Sequence, residues 1–363
     1  MNLPDKRGVG IVVPALKPVY DLMGGELQRA PNKWDSQRLT RAILWLLAAI
    51  LVGYGMAVLR CNCGLPSLHG TYHALTSWNG LQYTVLLPLS VMLVELPFVG
   101  WRKSSAGIVA AAGPSVISDL FYWFIQFVGI QEAMILAGLA TAYSFLHDYT
   151  SAYSLKLAHV SSPVVKVAII FLATDFLAYW VHRWMHGSRL MWEAHKVHHS
   201  AVEFNVLLAF RFHPLERVAW DMTNIVLALL LGADMGAYVV FITIYSFLGQ
   251  LQHARVDWTF GPLGKIFVSP VFHRFHHAIA REDHDKNFGA RLVIFDMLFG
   301  TYSTKVIPLD AVGVEDNTYV KNSVFTEFFR PLYVFFSNAM SMATQALARV
   351  PRRGVATYQQ SSD

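Results

Sequence analysis

Charge is what this sequence has least of. Asp, Glu, Lys and Arg make up 15% of its 363 residues, against about 25% in soluble domains. Hydrophobic residues reach 54% and mean hydropathy is +0.38. A soluble chain of this composition would have to bury nearly all of that apolar surface in one core. Cysteine is almost missing too. Cys61 and Cys63 are separated by one residue, a spacing that disfavours an ordinary disulfide, and two cysteines cannot build a structural zinc site. A dense basic tract is also absent: the formal charge is +5, and the Lys and Arg residues flank apolar runs. No nucleic-acid partner is therefore expected. The first forty residues lack the charged-then-apolar order of a cleaved signal, so none is expected. No internal repeat and no domain-separating linker is visible.

What is present is a series of apolar runs. Ala42–Leu59 and Leu81–Gly100 each approach the ~20 residues a helix needs to cross a bilayer. Lys33, Arg38 and Arg41 precede the first, Arg102 and Lys103 follow the second, and residues 61–80 between them carry no charge. The positive-inside rule puts the N-terminus and Arg102 in the cytoplasm. Residues 105–147 are apolar but interrupted, and fit one crossing plus a re-entrant or interfacial piece. Pro163–Trp184 is a clear apolar helix with Asp175 inside it. Val218–Leu251, broken at Gly232-Ala233-Asp234, reads as a helical hairpin. Phe267–Phe272, Leu292–Phe299 and Phe325–Phe336 are too short or interrupted for spans, and fit buried cap helices or interfacial pieces. The expected fold is all-α: a multi-pass transmembrane helical bundle of about six crossings with a cytoplasmic helical cap. Its expected parts are a cytoplasmic segment (1–40), N-terminal transmembrane helices (41–160), a catalytic domain (161–305) and a cytoplasmic C-terminal region (306–363).

Histidine placement points to the chemistry. His182 and His186 form HxxxH; His195, His198 and His199 form HxxHH; His273, His276 and His277 repeat HxxHH; His253 ends the hairpin. Residues three or four apart share a helix face, so His182 and His186 can address one metal. In each HxxHH the first histidine shares a face with both the fourth and the fifth, so one set can serve two adjacent ions, or one ion and a brace. Nine imidazoles are too many for one ion and suit two with positions left open. The boxes fall at helix ends, all on one side of the expected membrane. His69, His73, His147 and His159 stand alone and are read as ordinary hydrogen-bonded or surface residues.

These residues resemble the fatty acid hydroxylase superfamily, also called the sterol desaturase family. The resemblance rests on VHRWMH (181–186), HKVHHS (195–200), RFHPLE (211–216), LQHARVDWTFGPLG (251–264), SPVFHRFHH (269–277) and DKNFGARLVIFDMLFGTY (285–302), and covers roughly 164–302. Phe295 stands where many relatives carry tryptophan. The resemblance implies a multi-pass membrane protein whose cytoplasmic non-haem di-iron centre uses molecular oxygen to hydroxylate or desaturate a lipid. The implied ligands are His182, His186, His195, His198, His199, His253, His273, His276 and His277, with His213 and His284 as further candidates. No HPGG haem segment is present, so electrons are expected from a separate cytochrome b5-like or ferredoxin/reductase donor.

Saturated hydrocarbon offers no carbonyl to polarise and no acidic proton, which favours oxidation over acid–base chemistry. Hydroxylation of a sterol, fatty acyl or related lipid is the leading expectation, and desaturation by the same centre the nearest alternative. A zinc-dependent membrane hydrolase and a transporter or electron carrier are the other readings. Asp175, seven residues before His182, is expected to orient the first box or to make a helix–helix hydrogen bond. Glu193 and Glu216 are candidates for the same bracing work, or for pairing with Arg183, Arg211 or Arg217. Phe171, Phe176, Tyr179 and Trp180 are candidates for a substrate tunnel, for packing or for lipid contact. Both termini and the boxes are expected in the cytoplasm, with a bacterial inner membrane as the expected location.

Overall fold

The computed structural model describes residues 82–127, 155–232, 235–316, 319 and 324–349, all within the compact unit Leu46–Asp363. Every regular element among them is helical, and strand pairing is limited to two isolated bridges, Phe267 with Leu292 and Ala278 with Val312.

Helix α1 (Leu87–Val99) follows a π turn at Gln82–Leu86 and stops at Gly100, whose φ of 71° suits glycine. Ser104 then caps α2 (Ser105–Ala111) by accepting from Gly107 N. Ala112, at φ 50°, and Pro114 separate α2 from α3 (Pro114–Phe127), and the pair bends by 103°. The sequence placed an interrupted segment here; its continuation through 147, and the run Ala42–Leu59, lie outside the described residues.

Ser162 and Pro163 open α4 (Pro163–Gly187). The serine hydroxyl accepts from Val165 N, and proline suits a position whose N–H has no helical partner. At 25 residues the helix is about 37 Å long. It is the single described helix long and apolar enough to cross a membrane; the bent α2–α3 pair qualifies if counted as one span. Its two faces differ. Ile170, Thr174, Asp175, Ala178, Tyr179 and His182 are buried, whereas Val165, Leu172, Phe176, Trp180 and Trp184 form an exposed apolar stripe.

A short turn leads to α5 (Trp192–His199), and then come α6 (Pro214–Leu231) and α7 (Met235–Leu251), parted where the sequence placed the hairpin tip. Helix α6 begins four residues before the apolar run because Pro214 can serve as a first-turn residue. Both arms pack on α4 through a core of Ile170, Leu227, Leu231, Ala237 and Phe241. Two short helices follow, α8 (Pro270–His276) and α9 (Ile294–Phe299).

The last element, α10 (Val324–Arg349), is longer than the interrupted piece the sequence suggested and runs through Pro331. It packs on α5. Its Glu327 meets Arg211, and that guanidinium also contacts Asp119 of α3. All three side chains are fully buried.

Candidate metal centre

Four elements converge on one point. The end of α4 supplies His182 and His186, α5 supplies His195, His198 and His199, and the turn after α7 supplies His253. Helix α8 supplies His273 and His276, with His277 at its C-cap. The nine histidines resolve into two groups: His182, His186, His195, His199 and His276, and His198, His253, His273 and His277. Within each group one candidate ligand atom per residue lies within 4.8 Å of the others. The two HxxHH boxes are shared in opposite senses. His195 and His199 serve the first group and His198 the second, whereas His273 and His277 serve the second and His276 the first. His199 and His277 stack between the groups with ring centroids 4.4 Å apart.

Hydrogen bonding fixes the state of several rings. His182 Nδ1 lies 2.8 Å from Phe288 O, His276 Nδ1 2.8 Å from Lys286 O, and His253 Nδ1 2.9 Å from Gly249 O. A carbonyl only accepts, so each Nδ1 donates, and in a neutral imidazole each Nε2 is then a bare lone pair. His195 Nδ1 lies 2.7 Å from Glu216 Oε1, with the same consequence. Yet His182 Nε2 and His195 Nε2 are 3.1 Å apart, and further contacts of 3.1 Å join His195 to His199 and His199 to His276. In the second group, His273 Nε2 lies 3.0 Å from His253 Nε2 and 3.2 Å from His277 Nε2. Two facing lone pairs repel, and one ring nitrogen cannot satisfy two such neighbours with a proton. A cation between them removes both conflicts.

His186 Nε2 is also buried without a hydrogen-bond partner. The donor set therefore fits two ions, and imidazole ligation accommodates iron as it does zinc, copper and nickel.

The surroundings keep these imidazoles neutral. Burial, reinforced by the neighbouring histidines, pushes His195, His198, His199, His273, His276 and His277 well below the usual histidine value. Burial brings His253 down to about 3. Aromatic rings close the cage. Phe288 packs edge-on against His182, His186 and His276, Phe212 stacks on His198, and Trp192 leans on His186 and His199.

His213 and His284 stand outside both groups. The two nitrogens of His213 are taken by Phe328 O and Leu215 N–H, which ties α6 to α10. Asp175 accepts from the backbone N–H groups of Arg291 and Leu292 and from Tyr245 Oη, so its bonds reach the 291–292 loop and α7. Glu193 accepts from Tyr319 Oη and faces Lys196 and Arg330. Of the aromatic candidates on α4, Tyr179 is buried and bonded to Thr301, Phe171 packs on Phe241 and Tyr245, and Phe176 and Trp180 are exposed.

Sequence reasoning missed the carbonyls of Gly249, Lys286 and Phe288. The signal available for the last two was the turn that presents them. Asp285 and Asn287 adopt φ of 59° and 58°. Asp296 then clasps Phe288 N and Gly289 N at 2.7 Å each, and burial raises its carboxyl to about 6.

Residues 167–301 match the family model described as fatty acid hydroxylase. An ornithine lipid hydroxylase of Rhizobium tropici is 32% identical over 137 residues, covering 38% of this chain and 41% of that protein. Human alkylglycerol monooxygenase is 32% identical over 136 residues, 37% of this chain and 30% of that protein. A Delta(7)-sterol 5(6)-desaturase of Gibberella zeae is 23% identical over 183 residues, 49% and 50% of the two chains. The chain thus spans half or less of the length of these relatives. No solved structure matches it. All nine converging histidines lie within residues 167–301, the segment that is similar to the fatty acid hydroxylase family.

Proposed function

We propose that this protein is a membrane-bound oxidoreductase that hydroxylates a C–H bond of a membrane lipid with molecular oxygen at two histidine-held iron ions. The observation that carries the reading is the pair of adjacent all-histidine groups whose bare Nε2 atoms face one another. A hydrolytic zinc site needs three or four ligands around one ion; five and four imidazoles side by side suit a redox pair. When bound, the ions supply the oxygen chemistry that removes hydrogen from an unactivated carbon.

The chain's own residues hold and aim. His182, His186, His195, His199 and His276 would bind one ion, and His198, His253, His273 and His277 the other. Glu216 and the carbonyls of Phe288, Lys286 and Gly249 fix ring orientation and keep a lone pair on each Nε2 they control. Phe288, Phe212 and Trp192 exclude water from the cage.

In this reading α4 crosses the bilayer as one of about six spans, and its C-terminal end delivers the first box to the cytoplasmic face. The exposed stripe through Phe176 and Trp180 meets lipid, and both chain termini lie in the cytoplasm of a bacterial inner membrane. Electrons come from a separate cytochrome b5-like or ferredoxin/reductase donor. Two of the relatives are named an ornithine lipid hydroxylase and an alkylglycerol monooxygenase, which favours hydroxylation over desaturation for this chain.

Comparative lipid mass spectrometry tests the reading. Cells carrying the wild-type protein should show an oxygen-dependent lipid one oxygen atom heavier, and cells carrying His198→Ala with His276→Ala should not. Loss of two hydrogens in place of a gained oxygen would establish desaturation. A lipid profile unchanged by an iron-loaded protein would overturn lipid oxidation.

A further inference from the structure

The C-terminal helix lies outside the family match and presents a face that nothing in the described structure covers. On α10, Phe325, Phe329, Tyr333, Phe336 and Met340 are between 56% and 74% exposed. At about 100° per residue they fall within an arc roughly 80° wide, and from first to last they extend about 22 Å. Ser337, Ser341, Thr344 and Gln345 form an adjoining exposed polar arc. Glu327, Phe328, Pro331 and Asn338 lie on the side turned to the protein, where Glu327 and Pro331 are buried. The helix thus has three faces: one against the core, one polar and open, one aromatic and open.

Its level relative to α4 indicates what the aromatic face meets. Asn338 Nδ2 donates to Arg189 O at 3.0 Å, two residues beyond the end of α4. Trp180 and Trp184 are exposed on the last turns of α4. Tryptophans at the end of an apolar helix mark the headgroup level of a bilayer, so the middle of α10 is bonded to the chain where it leaves the membrane. Composition points the same way. Glu327 is committed to Arg211 and Arg330 faces Glu193, and the remaining charged residues from 324 to 353 are Arg349, Arg352 and Arg353, a sign that suits anionic headgroups. The helix is amphipathic and not apolar enough to cross a membrane, the combination that distinguishes interfacial helices from crossing ones.

We propose that α10 is an in-plane membrane helix, seated with Phe325, Phe329, Tyr333, Phe336 and Met340 at the headgroup–acyl boundary of an anionic leaflet. The proposal rests on reading α4 as a crossing. Through Glu327–Arg211 the seated helix is joined to α5, because Arg211 Nε donates to Val197 O at 2.8 Å between the histidines of the second box. Membrane docking and the metal groups thereby share one rigid connection.

The test is electron paramagnetic resonance accessibility on the full chain in nanodiscs containing phosphatidylglycerol. Cys61→Ser with Cys63→Ser is the background, and a single nitroxide is placed at 329, 333, 336 or 340, at 337 or 344, or at 172 in α4. Labels at 329, 333, 336 and 340 should share one shallow depth, with oxygen accessibility exceeding that of a water-soluble nickel chelate several-fold. Labels at 337 and 344 should show the reverse, and the label at 172 should lie deepest. Nickel-accessible labels along the whole aromatic face would overturn the proposal, as would depths increasing steadily along the helix. Spin–spin broadening there that vanishes on dilution with unlabelled protein would assign the face to a second copy and also overturn it. A shallow or aqueous label at 172 would overturn the crossing itself; a deep one with an aqueous α10 would overturn this inference alone.

Discussion

Glu216 and His195 meet at 2.7 Å with both side chains withdrawn from solvent, a carboxylate oxygen against the ring nitrogen turned away from the metal group. The contact fixes the His195 tautomer and makes the opposite nitrogen a better donor to a cation. Glu216→Ala should lower iron affinity or activity about 10- to 100-fold. Glu216→Gln, which keeps an acceptor without the charge, should fall between wild type and alanine. Competition with a calibrated iron chelator measures the affinity, and equal affinities for wild type and Glu216→Ala would remove the residue from the site.

The exchange of ligands between the two HxxHH boxes makes a prediction that sequence proximity alone gets wrong. His195 and His276 come from different boxes but one group, whereas His276 and His277 are adjacent in sequence and divided between groups. His195→Ala with His276→Ala should reduce iron from about two ions per chain to about one. His276→Ala with His277→Ala should weaken both sites and leave less than one. Elemental analysis after desalting decides; the opposite ranking would mean that each box serves its own ion.

That exchange shows where sequence reading ends. The spacing of His182 and His186, and of the two HxxHH sets, already implied shared faces and two ions, because helical periodicity is local. Which group His198 or His276 joins depends on how α5 and α8 are rotated against each other, which no local pattern records. Glu216 was visible as a carboxylate near the boxes but not separable from Glu193, since both had arginines within reach. Arg211 instead turned inward to Asp119 and Glu327, 92 and 116 residues away. The carbonyl of Phe288 was hidden for a simpler reason: every residue has one, and only the left-handed turn at Asp285 and Asn287 singles it out. On the fold side, α4 was legible from its unbroken apolar run, whereas the piece Phe325–Phe336 gave only part of α10, because Ser337 and Asn338 end the apolar run while the helix continues to Arg349.

The neutral imidazoles give the metal-free protein a pH signature. His253 titrates at about 3 in the fold and near 6.5 when unfolded, and six neighbouring histidines are shifted in the same direction. Their folded values lie below the unfolded one, so the unfolded chain binds more protons throughout that interval. Stability from these groups is complete above about pH 6.5 and falls as pH drops towards their folded values. The melting temperature of iron-free protein in detergent should therefore rise steeply between about pH 4 and 6.5 and level off above. A flat profile would mean that these histidines are not buried when metal is absent.

Arg211 links the metal groups to the rest of the helical assembly, and its removal separates charge from structure. Its guanidinium lies between Asp119 and Glu327 at 3.1 and 3.0 Å, while Nε donates to Val197 O and Nη2 to Ser200 Oγ. Arg211→Met would leave two buried carboxylates without a counter-charge, an arrangement that costs about 3–5 kcal/mol when a buried pair loses one member. It would also free the α5 carbonyl between His195 and His198. Replacing the whole triad, Arg211→Met with Asp119→Leu and Glu327→Leu, removes the uncompensated charges and should recover most of the stability. It would not restore the bonds to Val197 and Ser200. The triple variant should therefore melt close to wild type yet bind iron more weakly, and the single variant should lose both properties. Thermal unfolding and chelator competition on the same samples separate the two effects. Full recovery of iron affinity in the triple variant would show that Arg211 serves α5 only as a counter-ion.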